Sequence, residues 1–438
     1  LISEEWQTYK LEDVLEALID YRGKTPKKTN AGIPLITAKI VKNGTIMNPK
    51  EFISEKDYDT WMVRGLPKSG DVVLTTEAPL GEVAQLINSN VALAQRIVTL
   101  RGKANVLDNG FLKYFLMSNI GQSKLKERES GTTVTGIKQS ELRLVEINMP
   151  DYHSQKGISK ILSSIDEKIE LNNAINKNLE EMAQALFKRW FVDFEFPNEN
   201  DEPYKSSGGE FKESELGLIP KDWKVSSLDE IIEINPKISL KKGSAHPYVE
   251  MKNITNHYVR VTEHVIRDFS AGSKFINGDV LLARITPCLE NGKTAYVDFL
   301  EKDQVGWGST EFIILRSRKN IPGEFTYFLA RSDLFRSHAI SNMTGSSGRQ
   351  RVPDSSLRNY PISLPDNNDN ILAFGEIARS VLGLMKKNDE ESKRLTSIRH
   401  ILLPKLMSGE IRVPVEREYT QAVDLPMVAE SSEKYSAH

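Results

Sequence analysis

Two short stretches of this chain carry residue types that can hold phosphate or read the edge of a base. One is Ser130-Gly-Thr132-Thr133-Val-Thr-Gly-Ile-Lys138, and the other is Thr344-Gly-Ser346-Ser347-Gly-Arg349-Gln350-Arg351. Small hydroxyl side chains and open glycine backbone donate hydrogen bonds to phosphate oxygens. Lys and Arg neutralise the phosphate charge or fork onto guanine. Two further basic segments occupy matched places, Arg22-Gly-Lys24-Thr25-Pro-Lys27-Lys28 and Lys237 with Lys241-Lys242. One such loop is an ordinary solvated turn, but two pairs at matched positions point to nucleic acid. The candidate DNA contacts are therefore Lys24, Thr25, Lys27, Lys28, Thr132, Thr133, Lys138, Lys241, Lys242, Ser346, Ser347, Arg349, Gln350 and Arg351.

Other constellations fail on their own chemistry. Gly292-Lys293-Thr294 ends like a phosphate-binding loop, but the position that needs a glycine N–H is Pro287, which has none. Pro150-Asp151 could open a metal-dependent nuclease site, but Lys156 has no acid two residues before it and Asp366 in the second copy has no such Lys, so a turn and helix entry fits better. Gly345-Ser-Ser-Gly348 is not the Gly-x-Ser-x-Gly elbow of hydrolases. The seven histidines and the single cysteine, Cys288, show no zinc spacing. The sequence offers no catalytic residue, no metal site and no Gly-rich methyl-donor loop.

The elements that must position these loops occur twice. Trp6, Gly70-Asp-Val-Val-Leu74, Tyr114-Phe-Leu116, Leu142 and Pro150-Asp151 answer Trp223, Gly278-Asp-Val-Leu-Leu282, Tyr327-Phe-Leu329, Leu357 and Pro365-Asp366, at offsets of 208 to 217 residues. Each copy has a mixed α/β pattern. In the first, strands are expected at Trp6–Tyr9, Ile33–Ile40, Asp71–Thr75, Gly81–Ile87, Arg96–Leu100 and Glu141–Met149. Helices are expected at Leu11–Leu18 and Phe111–Lys126. The second copy repeats the order with strands at Asp279–Ala283, Glu311–Leu315 and Pro361–Leu364 and a helix at Glu324–Ser337.

Each copy ends in a long heptad-like helix. Ile158, Ile161, Ile165, Asn172, Leu179, Ala183, Leu186 and Trp190 mark one seam; Ile377, Val381, Leu384, Asn388, Leu395, Ile398 and Leu402 mark the other. The first rod, about 37 residues, is roughly 55 Å long. Asn172 and Asn388 stand at buried-type positions, where a polar residue fixes register at a cost in stability. The expected division is 1–152, first α/β domain; 153–195, central long helix; 196–215, polar linker; 216–367, second α/β domain; 368–412, second long helix; 413–438, flexible tail.

Composition bounds the class. With 438 residues, 39% hydrophobic and 27% charged, the chain is an ordinary globular protein with room for two or three cores. No run of 18 apolar residues suggests a membrane span and no leader suggests secretion. One cysteine excludes an internal disulfide and suits a reducing cytoplasm. The net charge of -2 does not advertise a nucleic-acid binder, but acids concentrated between Glu199 and Glu215 and in the tail mask a surplus of Lys and Arg elsewhere.

The layout resembles the specificity subunit of type I restriction–modification enzymes. Two variable α/β domains alternate with two long helices, and the second domain opens with Glu215-Leu-Gly-Leu-Ile-Pro-Lys-Asp-Trp223. Gly23 to Pro26 also matches a Gly-x-Thr-Pro pattern common near the start of such domains; the second copy lacks it at Asn235-Pro236-Lys237. The resemblance implies two target recognition domains that each read one half of a bipartite, asymmetric target in double-stranded DNA. It implies an antiparallel helical spacer that docks two modification subunits, which bind S-adenosylmethionine and methylate adenine. Two restriction (motor–nuclease) subunits would use ATP and magnesium. On that resemblance this chain needs no cofactor and is not itself an enzyme. The alternative left by the residues alone is a protein-assembly scaffold with no DNA contact.

Overall fold

The computed structural model describes residues 6–23, 25–131, 135–256, 258–318, 320–346 and 348–413. The chain divides into two compact units, Leu1–Glu170 with Ser392–His438, and Leu171–Glu391. Both long helices therefore contribute to both units.

Each unit is built on a four-stranded antiparallel sheet. The first has the order Leu15–Asp20, Ile97–Gly102, Val72–Thr76, Leu80–Gln85; the second has Ile232–Ile234, Phe312–Ser317, Val280–Ala283, Thr294–Tyr296. Alternation along the third strand of that order explains its continuous apolar text. Val72 and Leu74 face the core that holds the helix Asn109–Met117, while Val73 faces a second core with Leu35 and Ala92. Val280 and Leu282 against Leu281 repeat the division. The sheet is covered on both faces, so neither face shows a polar period.

The Gly-Asp landmark has a structural role. Asp71 is buried and accepts from Arg101 Nε at 2.8 Å and Nη2 at 2.7 Å; Asp279 is buried and accepts from Arg316 at 2.7 and 2.6 Å. Both aspartates also accept from a backbone N–H three residues earlier, Lys68 and Ile276, which closes the turn into the strand.

Three local expectations are corrected. The segment Leu11–Leu18 is a single helical turn, Leu11–Val14, followed by the strand Leu15–Asp20. Phe111–Lys126 and Glu324–Ser337 are each two helices, broken at Ser118 and Ser332. At each break the serine Oγ donates to a carbonyl three residues back and accepts the N–H of the third residue of the next helix, Gly121 or Phe335. The strand expected from Glu141 is a short helix, Gln139–Arg143, then a strand, Glu146–Met149. That strand pairs with Gln7–Lys10, as Pro361–Pro365 pairs with Trp223–Ser227.

The long helices run Tyr152–Phe191 and Asp369–Met407. Asp151 caps the first, accepting from the N–H groups of His153 and Ser154 at 2.9 and 3.2 Å. Within the second unit the helices are antiparallel through a polar layer. Asn388 Nδ2 donates to Asn176 Oδ1 at 2.8 Å, Asn176 Nδ2 to Asp389 at 2.7 Å, and Asn172 Nδ2 to Glu391 at 2.9 Å. Within the first unit Arg399 donates to Asp166 at 2.7 Å. The expected second seam is out of phase. The buried stripe is Ile371, Phe374, Ala378, Leu382 and Met385, while Ile377 and Leu384 are exposed.

The segment read as a linker, 196–215, is folded onto the second unit. Phe196 stacks on Trp223 at 5.1 Å and on Tyr204 at 4.7 Å, and Phe211–Ser214 forms a hairpin with Gly217–Pro220. Its sequence looked polar because the aromatic anchors are few and widely spaced.

Candidate nucleic-acid interface

The basic loops belong to one backbone framework built twice. In the first unit Thr76 N–H donates to the Arg96 carbonyl at 2.9 Å, and Ile137 N–H to the Thr76 carbonyl at 3.0 Å. In the second, Arg284 N–H donates to the Glu311 carbonyl and Val352 N–H to the Arg284 carbonyl, both at 3.0 Å. Thr76 thus corresponds to Arg284, Arg96 to Glu311 and Ile137 to Val352. Each framework is tied by a pinched loop, Ser130 to Gly136 and Thr344 to Arg351, and each lies beside a cis X-Pro bond, Ala78–Pro79 and Thr286–Pro287.

Of the candidate contacts, Lys24, Thr132, Thr133 and Ser347 lie outside the described residues. Thr25, Lys27, Lys28 and Lys138 are exposed in the first unit, with Lys28 Nζ 2.9 Å from Glu51. Lys138 directly precedes the short helix Gln139–Arg143. The first basic segment joins the pinched loop through Arg22, whose Nη1 donates to the Ile137 carbonyl at 2.8 Å while its Nε pairs with Asp20 at 2.8 Å. Arg22 is therefore a strut rather than a free cation.

In the second unit Lys241, Lys242, Ser346, Arg349 and Arg351 are exposed and Gln350 is half-buried. The structure joins Lys237 to the loop cluster rather than Lys241 and Lys242. Lys237, Lys274, Arg284 and Thr310 line one cleft of about 310 Å³. Arg284 Nη2 donates to the Val352 carbonyl at 2.9 Å, which links that cleft to the Arg349–Arg351 loop. Arg351 is not free. Its Nε lies 3.1 and 2.9 Å from the two Glu311 oxygens, and its Nη2 donates to Glu311 at 2.6 Å. The Arg351 hydrogen bond holds the Glu311 carboxyl below its usual range, against the upward push of burial.

Sequence reasoning missed Arg96, Glu77, Glu311, Lys274 and Arg284. Arg96 and Glu311 were visible as charged residues at the start of matched strands, but nothing in the sequence linked them to the loops. The Lys293 of the rejected phosphate loop is used locally, donating to the Met251 carbonyl at 3.0 Å. Among the described residues no three His, Cys, Asp or Glu stand where they could hold a metal ion, and no helix is long and apolar enough to cross a membrane.

Residues 3–181 and 220–375 match the model of the type I restriction modification DNA specificity domain, once for each copy. The chain belongs to that family. The specificity subunit of the type I restriction enzyme MjaIX from Methanocaldococcus jannaschii is 27% identical over 435 residues, covering 94% of this chain and 95% of that one. The HindI specificity subunit of Haemophilus influenzae is 23% identical, covering 85% and 94%. In fold, the chain is similar to the crystal structure of a type I restriction–modification S subunit from M. genitalium, with a TM-score of 0.55, 16% identity, and 93% and 97% coverage. The fold class of this specificity-family chain is thus two mixed α/β recognition domains with two long helices.

Proposed function

We propose that this chain is the non-catalytic DNA-recognition subunit of a type I restriction–modification system. Each α/β domain reads one half of a bipartite, asymmetric target through its loop cluster. The observation that carries this reading is the doubled framework, one backbone scaffold bearing different side chains. A scaffold fixed by backbone hydrogen bonds can change its loop residues, and so its target bases, without refolding.

The long helices set the gap between the half-sites and hold two modification subunits, and two motor–nuclease subunits join for restriction. Apolar residues left outside the buried stripe support protein docking: Ile377, Leu384, Ile398 and Ile401 are 41%, 46%, 45% and 60% exposed. The partners would bring S-adenosylmethionine, ATP and magnesium, in the cytoplasm.

The test replaces residues 1–150 with the equivalent domain of a relative and maps methylation by the assembled complex. One half-site should change and the other persist. Binding should fall steeply with salt, because phosphate contacts release counterions. Salt-independent binding, with no sequence preference, would instead leave the protein-scaffold reading.

A further inference from the structure

Each loop cluster sets one exposed arginine beside a glutamate, through Nε at Arg96 and through Nε and Nη2 at Arg351, and the two units do so from opposite parts of the framework. In the first unit the arginine is Arg96, just before the strand Ile97–Gly102, and its Nε lies 3.0 Å from Glu77 Oε1, beside Ala78–Pro79. In the second unit the strand-leading position is the glutamate, Glu311, and the arginine is Arg351 of the pinched loop. The arginine side chains are 53% and 44% exposed and the glutamates 36% and 24%. Arg96 also holds a φ of +72°, where residues other than glycine are uncommon, so its backbone is set by the framework and not by its own preference.

A guanidinium has two forked edges. When a carboxylate takes the edge formed by Nε and one Nη, the edge formed by the two Nη groups remains; in Arg351 its Nη1 makes only a long contact, 3.4 Å, to the Arg349 carbonyl. That edge matches the paired acceptors O6 and N7 of guanine in the major groove. Resting on the DNA-recognition reading above, we propose that Arg96 and Arg351 each read a guanine, one in each half-site, with Glu77 and Glu311 as the positioning residues that hold the forks. A guanidinium held in place loses less freedom on binding than a mobile one, and a lysine cannot reproduce the fork. The arrangement also accounts for the placement of two acids within loops otherwise suited to phosphate, where an unpaired carboxylate would repel DNA.

The test selects duplexes from a library of random sequence with the complex of this chain and its modification subunits. Wild type is compared with Arg96→Lys, Arg351→Lys, Glu77→Gln and Glu311→Gln. The lysine variants keep the charge and remove only the fork. Arg96→Lys should lower the preference for guanine at one position of one half-site by about 5- to 150-fold, leaving the other half-site and the salt slope unchanged. Arg351→Lys should do the same in the other half-site. The glutamate variants should weaken the same guanine preference by a smaller factor, a change that a merely structural ion pair would not confine to one base. Half-sites that persist with unaltered guanine preference in both lysine variants, or that contain no guanine, would overturn the proposal while leaving DNA recognition intact. No sequence selection by the wild-type complex would overturn both.

Discussion

The two units carry the same sheet order and the same loop hydrogen bonds, but they stabilise their helices in different ways. The second unit packs rings. Phe187, Phe191, Phe325 and Phe374 lie with centroids 5.0 to 6.4 Å apart, and Trp190, Trp223 and Phe328 extend the cluster. The corresponding core of the first unit is mostly aliphatic around Phe111 and Phe115, with Ile158 and Leu162 from the long helix. There the long helices are tied by charge: Asp166 takes Tyr114 Oη at 2.8 Å, Lys113 at 3.2 Å and Arg399 at 2.7 Å. Matched tyrosines grip the same helix in both units, since Tyr327 Oη donates to Glu180 at 2.6 Å. The comparison separates what the fold demands, a tyrosine on an acid, from what each copy chose around it.

The largest expected effect tests the ring cluster. Phe374→Ala should cost the second unit about 3–5 kcal/mol, the range for a buried aromatic truncated in a core. Hydrogen exchange by mass spectrometry on the full chain would read this unit by unit. Protection should fall in 171–391 far more than in the sheet of the first unit. Equal loss in both would mean that the aromatic core does not stabilise one unit in particular.

A smaller effect separates the two tyrosines. Tyr327→Phe leaves buried Glu180 with Arg331 at 3.4 Å, whereas Tyr114→Phe leaves Asp166 with two cations. The first should cost about 1–3 kcal/mol, as expected when a buried acceptor loses a donor, and the second less. Local exchange in each long helix would give the order, and the reverse order would show that the charged ties of the first unit do not share the load. Shifted tyrosine ionisation fits the same geometry, since burial and the neighbouring acid both push the Tyr114 hydroxyl well up.

Much of this was legible in the sequence, and the failures have physical causes. The paired landmarks gave the doubled domains because buried positions such as Asp71, Asp279, Tyr114 and Tyr327 are fixed by partners that both copies need. The phase of the second long helix was misread because it carries two apolar stripes one residue apart. Ile377 and Leu384 satisfy a heptad as well as Ala378, Leu382 and Met385 do, and only the tertiary partner selects between them. The helix breaks at Ser118 and Ser332 were hidden inside an unbroken apolar period, where a serine that caps and one that tolerates a helix look alike. The loops were found from composition. Their organising ion pairs were not, because Arg96 and Glu77, like Glu311 and Arg351, meet only when the framework folds.

The smallest expected effect lies in that framework and depends on pH. Arg351 holds the folded-state Glu311 carboxyl below its ordinary value, so the stabilisation is fully present above the unfolded value, about 4.3. It is lost as pH falls through the lower folded value, where the carboxyl takes up a proton and the ion pair dissolves. The Arg351 side chain is 44% exposed, so solvent screening keeps the contribution small. Comparing Glu311→Gln with wild type therefore gives a direct reading. Exchange of the Thr344 and Arg351 amides, corrected for intrinsic rates, should be faster in the variant at neutral pH. The gap should narrow below about pH 4 as the wild type loses the same charge. A gap of constant size across that range would mean that the pinched loop is held by its backbone pairing alone, and that the glutamate contributes to aiming Arg351 without stabilising the loop.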